Sequence, residues 1–542
     1  MTGRPDVTVI VAVYNTMPYL TECLDSLVGQ SIGPDRLEVI AVDDGSTDGS
    51  AAELDRFAAR YPGVVTVLRQ PNSGGPAAPS NRALDRATGR FVHFVGSDDH
   101  LGEEALERLV ACADAHGSDV VAGRMVGTGG RYVHQKLYAE NAPDISLFDS
   151  ALPFTLANTK LFRRELLERH RLRFLEDLPV GSDQPFTIEA CLRARRISVL
   201  ADYICYYAVK RNDASNITYR ADHLSRLRCT ARIMDHAAGL VPAGPHRDAL
   251  LARHFAWELS KLLLTDFPAL GADTRQRLCA GLSVLLDAYY TDALRDGTGV
   301  KRRVRFGLAG RGATAALSRT ITDEAASGAP PFLLEGARAF AVYPAFRDPG
   351  VGLDDRYYEV LGETVAGRLA AAAHFESADW EQTGADLWLT VRLRLGVVGD
   401  VGSVTVALAG RAMPQSADRA GARRLPAGHG RPPAPGEVTT EATADGRGTR
   451  VSARVPVPAS PAVQGLRVYV DVAGSTYEIP VRTEGRPMPL ARRWGEAVPH
   501  RVAARPNTKG RLVITTAPLT EPRNGPFTGL GRLLTPKRKR NR

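Results

Sequence analysis

Residues 7–15, with the sequence VTVIVAVYN, are an apolar run that ends in a tyrosine and an asparagine. The same arrangement recurs at residues 37–44, LEVIAVDD, and at residues 90–99, RFVHFVGSDD, where each run ends in two adjacent aspartates. Each polar pair follows what the pattern predicts to be a buried parallel strand. Ligands of open α/β sheets bind outside the carboxyl ends of the strands, so we expect the three ends to line one crevice. The pattern therefore predicts a nucleotide site at that edge of the sheet.

Strand-like and helical patterns alternate through the N-terminal part of the chain. Apolar residues recur at helical spacing after the first strand, with Pro18 near the start of that helix. Such alternation predicts a doubly wound, Rossmann-like α/β domain with a mostly parallel sheet, which we assign to residues 1–220. Strands are expected at residues 7–13, 37–42, 64–68, 90–95 and 119–122, helices near 160–170 and 185–195, and further β runs at 197–200 and 203–209.

The rest of the chain changes character twice. Residues 221–330 are predicted to be a helical connector with a basic linker, because amphipathic stretches occupy 222–238, 246–265 and 273–294. Residues 331–535 alternate apolar and polar positions between turn signals, which predicts one or two antiparallel β-sandwich modules. Residues 536–542 form a basic tail.

Net charge indicates which partners the chain could bind, and cysteine spacing indicates whether it contains a zinc site or disulfides. The 542 residues carry a net charge of +9, with basic clusters at 301–305 and 537–542. These clusters predict either a polyanionic partner, such as anionic lipid, a phosphate-containing polymer or nucleic acid, or simply solvated basic segments. The six cysteines form no Cys-x-x-Cys motif, which disfavours a zinc or disulfide framework.

The sequence contains no signal-peptide core and no run of about 18 apolar residues. We therefore expect a cytoplasmic chain that does not span a membrane. Its basic charge is compatible with peripheral contact at the inner face of the cell membrane.

The acidic pairs have both a structural and a chemical interpretation. The segment 43–46, DDGS, could serve only as a turn with a helix cap, and Asp98-Asp99 could do the same. Adjacent carboxylates repel each other unless a cation or donors hold them, and their oxygens suit Mg²⁺ or Mn²⁺ carrying phosphates. Their combination at the ends of two strands of one predicted sheet favours catalysis.

Together these motifs resemble the family-2 glycosyltransferases of the GT-A fold, which use nucleotide-activated sugars. The resemblance covers residues 6 to about 220. It rests on five ordered motifs, which are 11–15 (VAVYN), 42–48 (VDDGSTD), 81–90 (NRALDRATGR), 96–99 (GSDD) and 182–186 (SDQPF).

The resemblance implies roles for residues at the ends of the first, second and fourth predicted strands. Val13 and Tyr14 would belong to the donor nucleotide site, with Tyr14 stacked on uracil. Asp44 would accept the uracil N3 proton, which cytosine lacks, so a UDP-sugar donor is implied. Asp98 would lie near the ribose, and Asp99 would bind the divalent metal, Mn²⁺ or Mg²⁺, under the diphosphate.

Four more residues match segments that line the donor site in this family. Asn81 and Arg82 follow a glycine-containing loop, and Arg82 could contact an anionic oxygen or could be a surface arginine on a helix. Lys210 and Arg211 precede a segment that closes over the donor in the family, so either could contact phosphate.

Asp183 matches the catalytic carboxylate of the family. That group removes a proton from the acceptor hydroxyl in a single displacement, which inverts the anomeric configuration. The family usually has Glu before this Asp, whereas Ser182 precedes it here and a Glu-Asp pair occurs at 176–177. We keep Asp183 because 184–186, QPF, opens a helix, although the residue could also be a helix cap and Asp177 is a rival.

The order of catalytic, helical and β-rich parts is similar to that of wall teichoic acid poly(ribitol-phosphate) N-acetylglucosaminyltransferases. This looser resemblance implies a polymeric, anionic polyol-phosphate acceptor and a homo-oligomer, trimeric in some relatives, assembled through the C-terminal β modules. Nucleic acid is not the implied partner. Aromatic residues of the β region, including Trp380 and Trp388, could form sandwich core, a sugar platform or a subunit interface.

Two other function classes remain open from the sequence. A sugar nucleotidyltransferase of similar fold should have a glycine-rich phosphate loop after the first strand, where this chain has 14–18, YNTMP. A non-catalytic scaffold for polyanions would have no use for Asp44, Asp98, Asp99 and Asp183 together.

Overall fold

The computed structural model divides the chain into two compact units, Met1–Thr298 with Arg305–Ile321, and Gly299–Val304 with Thr322–Arg542. The structure describes residues 4–211, 222–335, 338–361, 365–399, 401–410, 423–425, 435–444, 448–472, 475–479, 481–483, 488, 490–494, 498–507 and 510–519. The basic tail at 536–542 and the segment 212–218 that follows Arg211 lie outside these residues.

The first unit is built on one eight-stranded sheet in the order β3-β2-β1-β4-β7-β6-β8-β5. Strands β1, β2, β3 and β4 run parallel, as do β6 and β8, whereas β7 is antiparallel to both of its neighbours. The predicted mostly parallel sheet is therefore confirmed. The strands are β1 Val7–Val13, β2 Leu37–Asp43, β3 Val65–Arg69, β4 Phe91–Gly96, β5 His100–Leu101, β6 Val120–Gly127, β7 Leu161–Arg163 and β8 Ile197–Ala208.

One prediction about this sheet is wrong in detail. The β runs expected at 197–200 and 203–209 belong to a single twelve-residue strand, β8. Its register with β6 shifts next to Gly123, where a β-bulge absorbs the polar interruption between the two apolar runs. The bulge lets one strand stay paired with β6 as far as Ala208, and the Tyr206 hydroxyl contacts the Gly96 amide at the end of β4.

Helices pack on the sheet because their apolar residues follow helical spacing. The valines at 7, 9, 11 and 13 share one face of β1 and pack in the same core cluster as Leu20, Cys23, Leu24 and Leu27 of α1. The helices of this part are α1 Tyr19–Val28, α2 Ser50–Arg60, α3 Ala77–Leu84, α4 Ala105–His116, α5 Arg164–Arg169 and α6 Asp183–Arg193.

The predicted helical connector is present. Its middle stretch is α-helical only to Arg253 and continues as a wider π-helical turn over His254–Leu259. The helices are α7 His223–Leu240, α8 Pro245–Arg253, α9 Ala272–Tyr289, α10 Asp292–Gly297, α11 Val300–Gly310 and α12 Thr314–Ser327. No helix among the described residues is long and apolar enough to cross a membrane.

The second unit contains three sheets, which confirms the predicted antiparallel β structure. They have the orders β10-β9-β13, β11-β12-β17-β16 and β15-β19-β18-β22-β21-β20, with β14 paired to β18. Among the described strands of the second unit, β9 and β13 form the one parallel pair. Helix α13 is Val365–Ala372, and the strands are β9 Phe332–Glu335, β10 Arg338–Ala341, β11 Ala373–Thr383, β12 Asp386–Leu395, β13 Val397–Gly399, β14 Val401–Gly410, β15 Arg423–Arg424, β16 Glu437–Ala442, β17 Thr449–Pro456, β18 Ala462–Val472, β19 Ser475–Ile479, β20 Ala491–Trp494, β21 Pro499–Pro506 and β22 Leu512–Pro518.

Gly89 provides a test of how closely β1 and the turn before β4 approach. A Cβ at this position would lie 2.5 Å from the Thr8 backbone nitrogen, so Gly89→Ala must displace main chain in the centre of the sheet. We expect a loss of about 1 to 3 kcal/mol in the free energy of unfolding, measured by chemical denaturation. Gly239→Ala is the control, because that glycine is exposed in α7 with no atom near its Cβ position, and it should cause no loss. Equal stability of the two variants would contradict the close approach.

Candidate active site

The loops after β1 and β2 are joined by hydrogen bonds at the edge of the sheet. The Asp44 amide donates to the carbonyl of Val13 at 2.8 Å, and the Thr47 amide donates to the Asn15 side chain at 2.7 Å. Asn15 has a positive φ of 48°, which this short polar side chain tolerates. These hydrogen bonds hold Tyr14 at the carboxyl end of β1, where it is 42% exposed and available to a planar ligand.

The carboxylate of Asp44 is buried and held from two sides. Gln70 Nε2 donates to Oδ1 at 2.7 Å, while the amide and hydroxyl of Ser73 donate to Oδ2 at 3.0 and 2.9 Å. Gly45 permits this approach, since a Cβ there would lie 2.9 Å from the Asn72 amide nitrogen. Gln70 and Ser73 were not predicted, although Gln70 directly follows β3, and ligand sites of open α/β sheets are formed by residues at such strand ends.

Asn81 and Arg82 contact protein groups in this structure. Arg82 Nη1 donates to the carbonyl of Arg69 at 2.6 Å and to Gln70 Oε1 at 3.4 Å, so it supports the residue that holds Asp44. Asn81 is buried, and its side chain both donates to and accepts from the Phe174 backbone at 3.0 and 2.8 Å. It also donates to Glu176 at 2.9 Å. Asn81 thus fastens the segment that leads to α6.

Asp98 and Asp99 occupy the turn after β4. Asp99 is 5% exposed, and it accepts bonds from the Tyr206 hydroxyl and the Val209 amide, both at 2.7 Å. Arg131 Nη1 lies 3.2 Å from its Oδ1. Burial, followed by the neighbouring charge of Asp98, raises the pKa of Asp99 to about 6, although Arg131 and Tyr206 act in the opposite direction.

Arg211 joins this group and Lys210 does not. Arg211 Nε donates to Asp98 Oδ2 at 2.7 Å, and its guanidinium lies 5.9 Å from the centre of the Tyr19 ring. Lys210 is exposed. The structure therefore brings a guanidinium to each of the two adjacent carboxylates.

The residues present fit a divalent cation carried by a diphosphate. Gly96 leaves a space into which both carboxylates point, since a Cβ there would lie 2.9 Å from Asp99 Oδ2 and 3.2 Å from Asp98 Oδ1. The described residues contain no group of three His, Cys, Asp or Glu side chains that could hold an ion by themselves. A metal bound here would take hard oxygen ligands from Asp99 and the remaining ones from the ligand and water.

A cavity of about 260 Å³ extends from Gly96 to the start of α6. Ile10, Ala12 and Phe94 form its apolar floor, which is the face of β1 and β4 opposite the valine core. Asp183 lies in its wall, and no side-chain cap is formed at the α6 N-terminus. The cavity thus begins at Gly96, beside the carboxylates of Asp98 and Asp99, and reaches Asp183.

The charges around Asp183 act in opposite directions. Burial raises the pKa of its carboxyl, whereas the cationic groups of Arg253 and Lys160 lower it. Lys160 is itself buried, with Nζ donating to the carbonyls of Thr155 and Ala157 at 2.5 and 2.8 Å, and burial lowers its pKa to about 8. The rival carboxylate Asp177 is paired at the surface with Arg232 at 3.0 Å and does not line the cavity.

Tyr206 is a residue of this site that sequence reasoning missed. Its ring is buried, and its hydroxyl donates to Asp99 while accepting the Gly96 amide at 3.0 Å. No motif marks it, because its contact with the turn after β4 depends on the position of β8 in the sheet. It therefore connects two elements that are over 100 residues apart in sequence.

Tyr206→Phe should leave a buried amide and a buried carboxylate without this partner. We expect a loss of about 1 to 3 kcal/mol in the free energy of unfolding and weaker Mn²⁺-dependent binding of UDP, measured by calorimetry. Tyr207→Phe is the matched control, since Tyr207 stacks on His100 and its ring survives the change. If both variants bind UDP and Mn²⁺ like the parent chain, Tyr206 does not position Asp99.

Comparison with known proteins agrees with this geometry. The family model for glycosyl transferase family 2 matches residues 8–171, and the model for the glycosyl transferase TarS linker domain matches residues 226–321. The crystal structure of Staphylococcus aureus TarS 1–349 in complex with UDP-GlcNAc is similar, with a TM-score of 0.55 and 30% identity. The likeness covers 62% of this chain and 97% of that one.

Curated relatives include two enzymes that act on poly(ribitol-phosphate). The chain is 43% identical over 274 residues to the poly(ribitol-phosphate) beta-N-acetylglucosaminyltransferase TarS of S. aureus, covering 48% of this chain and 47% of that protein. It is 42% identical over 206 residues to the poly(ribitol-phosphate) beta-glucosyltransferase of Bacillus spizizenii, covering 38% and 32%. The matched region thus spans less than half the length of either relative.

Proposed function

The chain belongs to glycosyltransferase family 2, and from this membership we propose that it is an inverting transferase that moves a sugar from UDP to a hydroxyl of a polymer. The observation that carries the proposal is that Asp44, Asp98 and Asp99 follow the ends of β2 and β4, the two strands that flank β1, while a cavity runs from Gly96, beside Asp98 and Asp99, to Asp183. An acceptor of the poly(ribitol phosphate) type is part of the proposal, because two relatives are named for that polymer.

Donor recognition would begin at the first two strand ends. Tyr14 is exposed enough to stack on a base, and Val13 holds the loop that carries Asp44. The Asp44 carboxylate would accept the N3 proton of uracil, and its bonds to Gln70 and Ser73 fix its orientation before the nucleotide arrives. Arg82 would support base recognition indirectly, because it donates to Gln70, which in turn holds Asp44. It could also contact the donor itself.

Charge at the diphosphate would be handled by Asp98, Asp99 and their arginines. A bound Mn²⁺ or Mg²⁺ would neutralise the leaving UDP. Asp99 is oriented for a cation by Tyr206 and Val209. Arg211, which contacts Asp98, or the exposed Lys210 beside it would contact phosphate. Arg131 and Arg211 compensate the two carboxylates before a cation and a nucleotide enter.

Asp183 would act as the general base. Its position in the cavity wall would let it take the proton of the acceptor hydroxyl as that oxygen attacks the anomeric carbon from the side opposite UDP. Attack from the opposite side inverts the configuration at that carbon. The burial that raises its pKa also makes the carboxylate a stronger base.

Sugar, assembly and domain roles belong to the same proposal. The two named relatives transfer different sugars, so N-acetylglucosamine is the first donor to test and glucose the second. We assign catalysis to residues 1–220, a connecting role to 221–330 and assembly or acceptor retention to 331–535. A trimer and peripheral contact with an anionic membrane remain predictions.

A donor panel tests the proposed reaction. We expect release of UDP from UDP-N-acetylglucosamine or UDP-glucose in the presence of Mn²⁺ or Mg²⁺ and purified poly(ribitol phosphate), with CDP- and GDP-sugars inactive. Product release is measured by a coupled nucleotide assay. Formation of pyrophosphate from a sugar phosphate and UTP would instead indicate a nucleotidyltransferase, and folded protein without turnover of any donor would favour a scaffold.

Asp183→Asn tests the assignment of the base. We expect kcat to fall by about 10² to 10⁴, because the amide cannot accept the proton, while UDP affinity stays near that of the parent chain. Asp177→Asn is the control and should change kcat little, since Asp177 is half-exposed and paired with Arg232. The assignment is wrong if Asp183→Asn retains turnover or if only Asp177→Asn abolishes it.

A further inference from the structure

One face of the β15-β19-β18-β22-β21-β20 sheet in the second unit is rich in arginine. Residues alternate along β21, with Val502 and Ala504 buried and Arg501 and Arg505 exposed. The register extends this face to neighbouring strands. We call it the basic face, and its arginines are Arg467, Arg482, Arg492, Arg501, Arg505 and Arg511.

Two pairs of arginines on the basic face oppose each other directly. Arg492 pairs with Arg501 between β20 and β21, and Arg482 pairs with Arg511 in an isolated antiparallel bridge. Directly opposite residues have Cα atoms only about 5 Å apart, and like charges at such positions destabilise a sheet. The fold carries this cost twice on the same face.

Few acidic groups compensate this charge. Among the described residues of these strands, Glu478 and Asp471 are the acids on this face, and Glu478 is paired with Arg467 at 2.9 Å. Asp471 accepts bonds from Ser403 and Thr476. Within the described part of the chain, Arg482, Arg492, Arg501 and Arg505 have no carboxylate at ion-pair distance.

Small side chains separate the arginines and leave the basic face accessible. Ala517, Thr515 and Val513 of β22 lie opposite Arg501, Ala503 and Arg505 of β21. Residues four apart on one strand are about 13 Å apart, so the arginines are spaced in rows across one face of the sheet. Such rows suit a ligand with repeated negative charges better than a single phosphate in a pocket. Guanidinium groups also bind phosphate oxygens through paired donors.

We propose that the basic face is a second binding site for the acceptor polymer, which recognises its repeated phosphodiesters independently of the catalytic cavity. The proposal rests on the proposed function for the identity of the polymer, a linear polyol phosphate. Charge complementarity selects this occupant over a neutral glycan. Weak contacts with several phosphates would keep the polymer bound between transfer events.

The test compares two triple variants of the full chain. Arg492→Gln, Arg501→Gln and Arg505→Gln together remove three exposed charges from the basic face. Arg60→Gln, Arg277→Gln and Arg392→Gln remove the same charge from exposed positions elsewhere and serve as the matched control. Binding of purified poly(ribitol phosphate) is measured by calorimetry at several salt concentrations.

We expect the basic-face variant to bind the polymer roughly tenfold to a hundredfold more weakly, with the slope of log K against log salt reduced by about two to three units. KM for the long polymer should rise, while kcat and KM for a one-repeat acceptor stay unchanged. The melting temperature should not fall, because the Arg492–Arg501 repulsion is removed.

The possible outcomes distinguish the basic-face site from the proposed transferase activity. Equal polymer binding by both variants overturns the basic-face site, even if transfer occurs. Loss of binding to single-stranded RNA or to anionic vesicles, with polymer binding intact, also overturns it because the partner is then different. Polymer binding that is lost only in the basic-face variant supports the site, even if no sugar is transferred and the proposed function fails.

Discussion

The first unit has to stabilise two adjacent carboxylates, Asp98 and Asp99, that are largely shielded from solvent. Asp98 and Asp99 are adjacent in the turn after β4, and Asp99 is almost fully buried. Buried like charges are costly unless donors or cations surround them. The chain brings Tyr206, Val209, Arg131 and Arg211 to the pair from two other parts of the sequence. The position of β8 in the sheet is therefore tied to the stability of the turn that it serves.

The same edge separates recognition from chemistry. Asp44 is held by neutral donors and faces the place expected for a base, whereas Asp98 and Asp99 are held by cations where phosphate charge is expected. Asp183 lies in the wall of the cavity, where burial and nearby cations act on its pKa in opposite directions. Three carboxylate environments on one sheet edge can thus support three different roles without any change of residue type.

Two sheets of the second unit differ in how their arginines are paired with acidic residues. In the four-stranded sheet, Arg450 is paired with Glu376 and Arg454 with Glu381, and Arg454 also covers Trp388. Trp380 lies opposite the buried Leu389 and so shares its core-facing side. The basic face has no comparable set of acids among its described residues. The contrast indicates that arginines without a carboxylate partner among the described residues, namely Arg482, Arg492, Arg501 and Arg505, are concentrated on one face.

Local pattern was sufficient for much of the first unit. The strands β1, β2, β3 and β4 were predicted within one or two residues, because buried parallel strands are short apolar runs with turn residues at their ends. The positions of Tyr14, Asp44 and Asp99 at strand ends follow from the same pattern. The antiparallel strand β7 and the continuity of β8 did not, since a three-residue strand and a bulge leave little periodic signal.

The sequence by itself determined which residues stand at the ends of the strands, because burial and strand period are local properties of the chain. Tertiary structure alone decided which other distant groups meet those residues: Ser73 at Asp44, Tyr206 and Arg131 at Asp99, and the four arginines Arg482, Arg492, Arg501 and Arg505 on one face. Such contacts depend on strand order and register, and these are set by the packing of whole sheets and helices over separations of tens to more than a hundred residues.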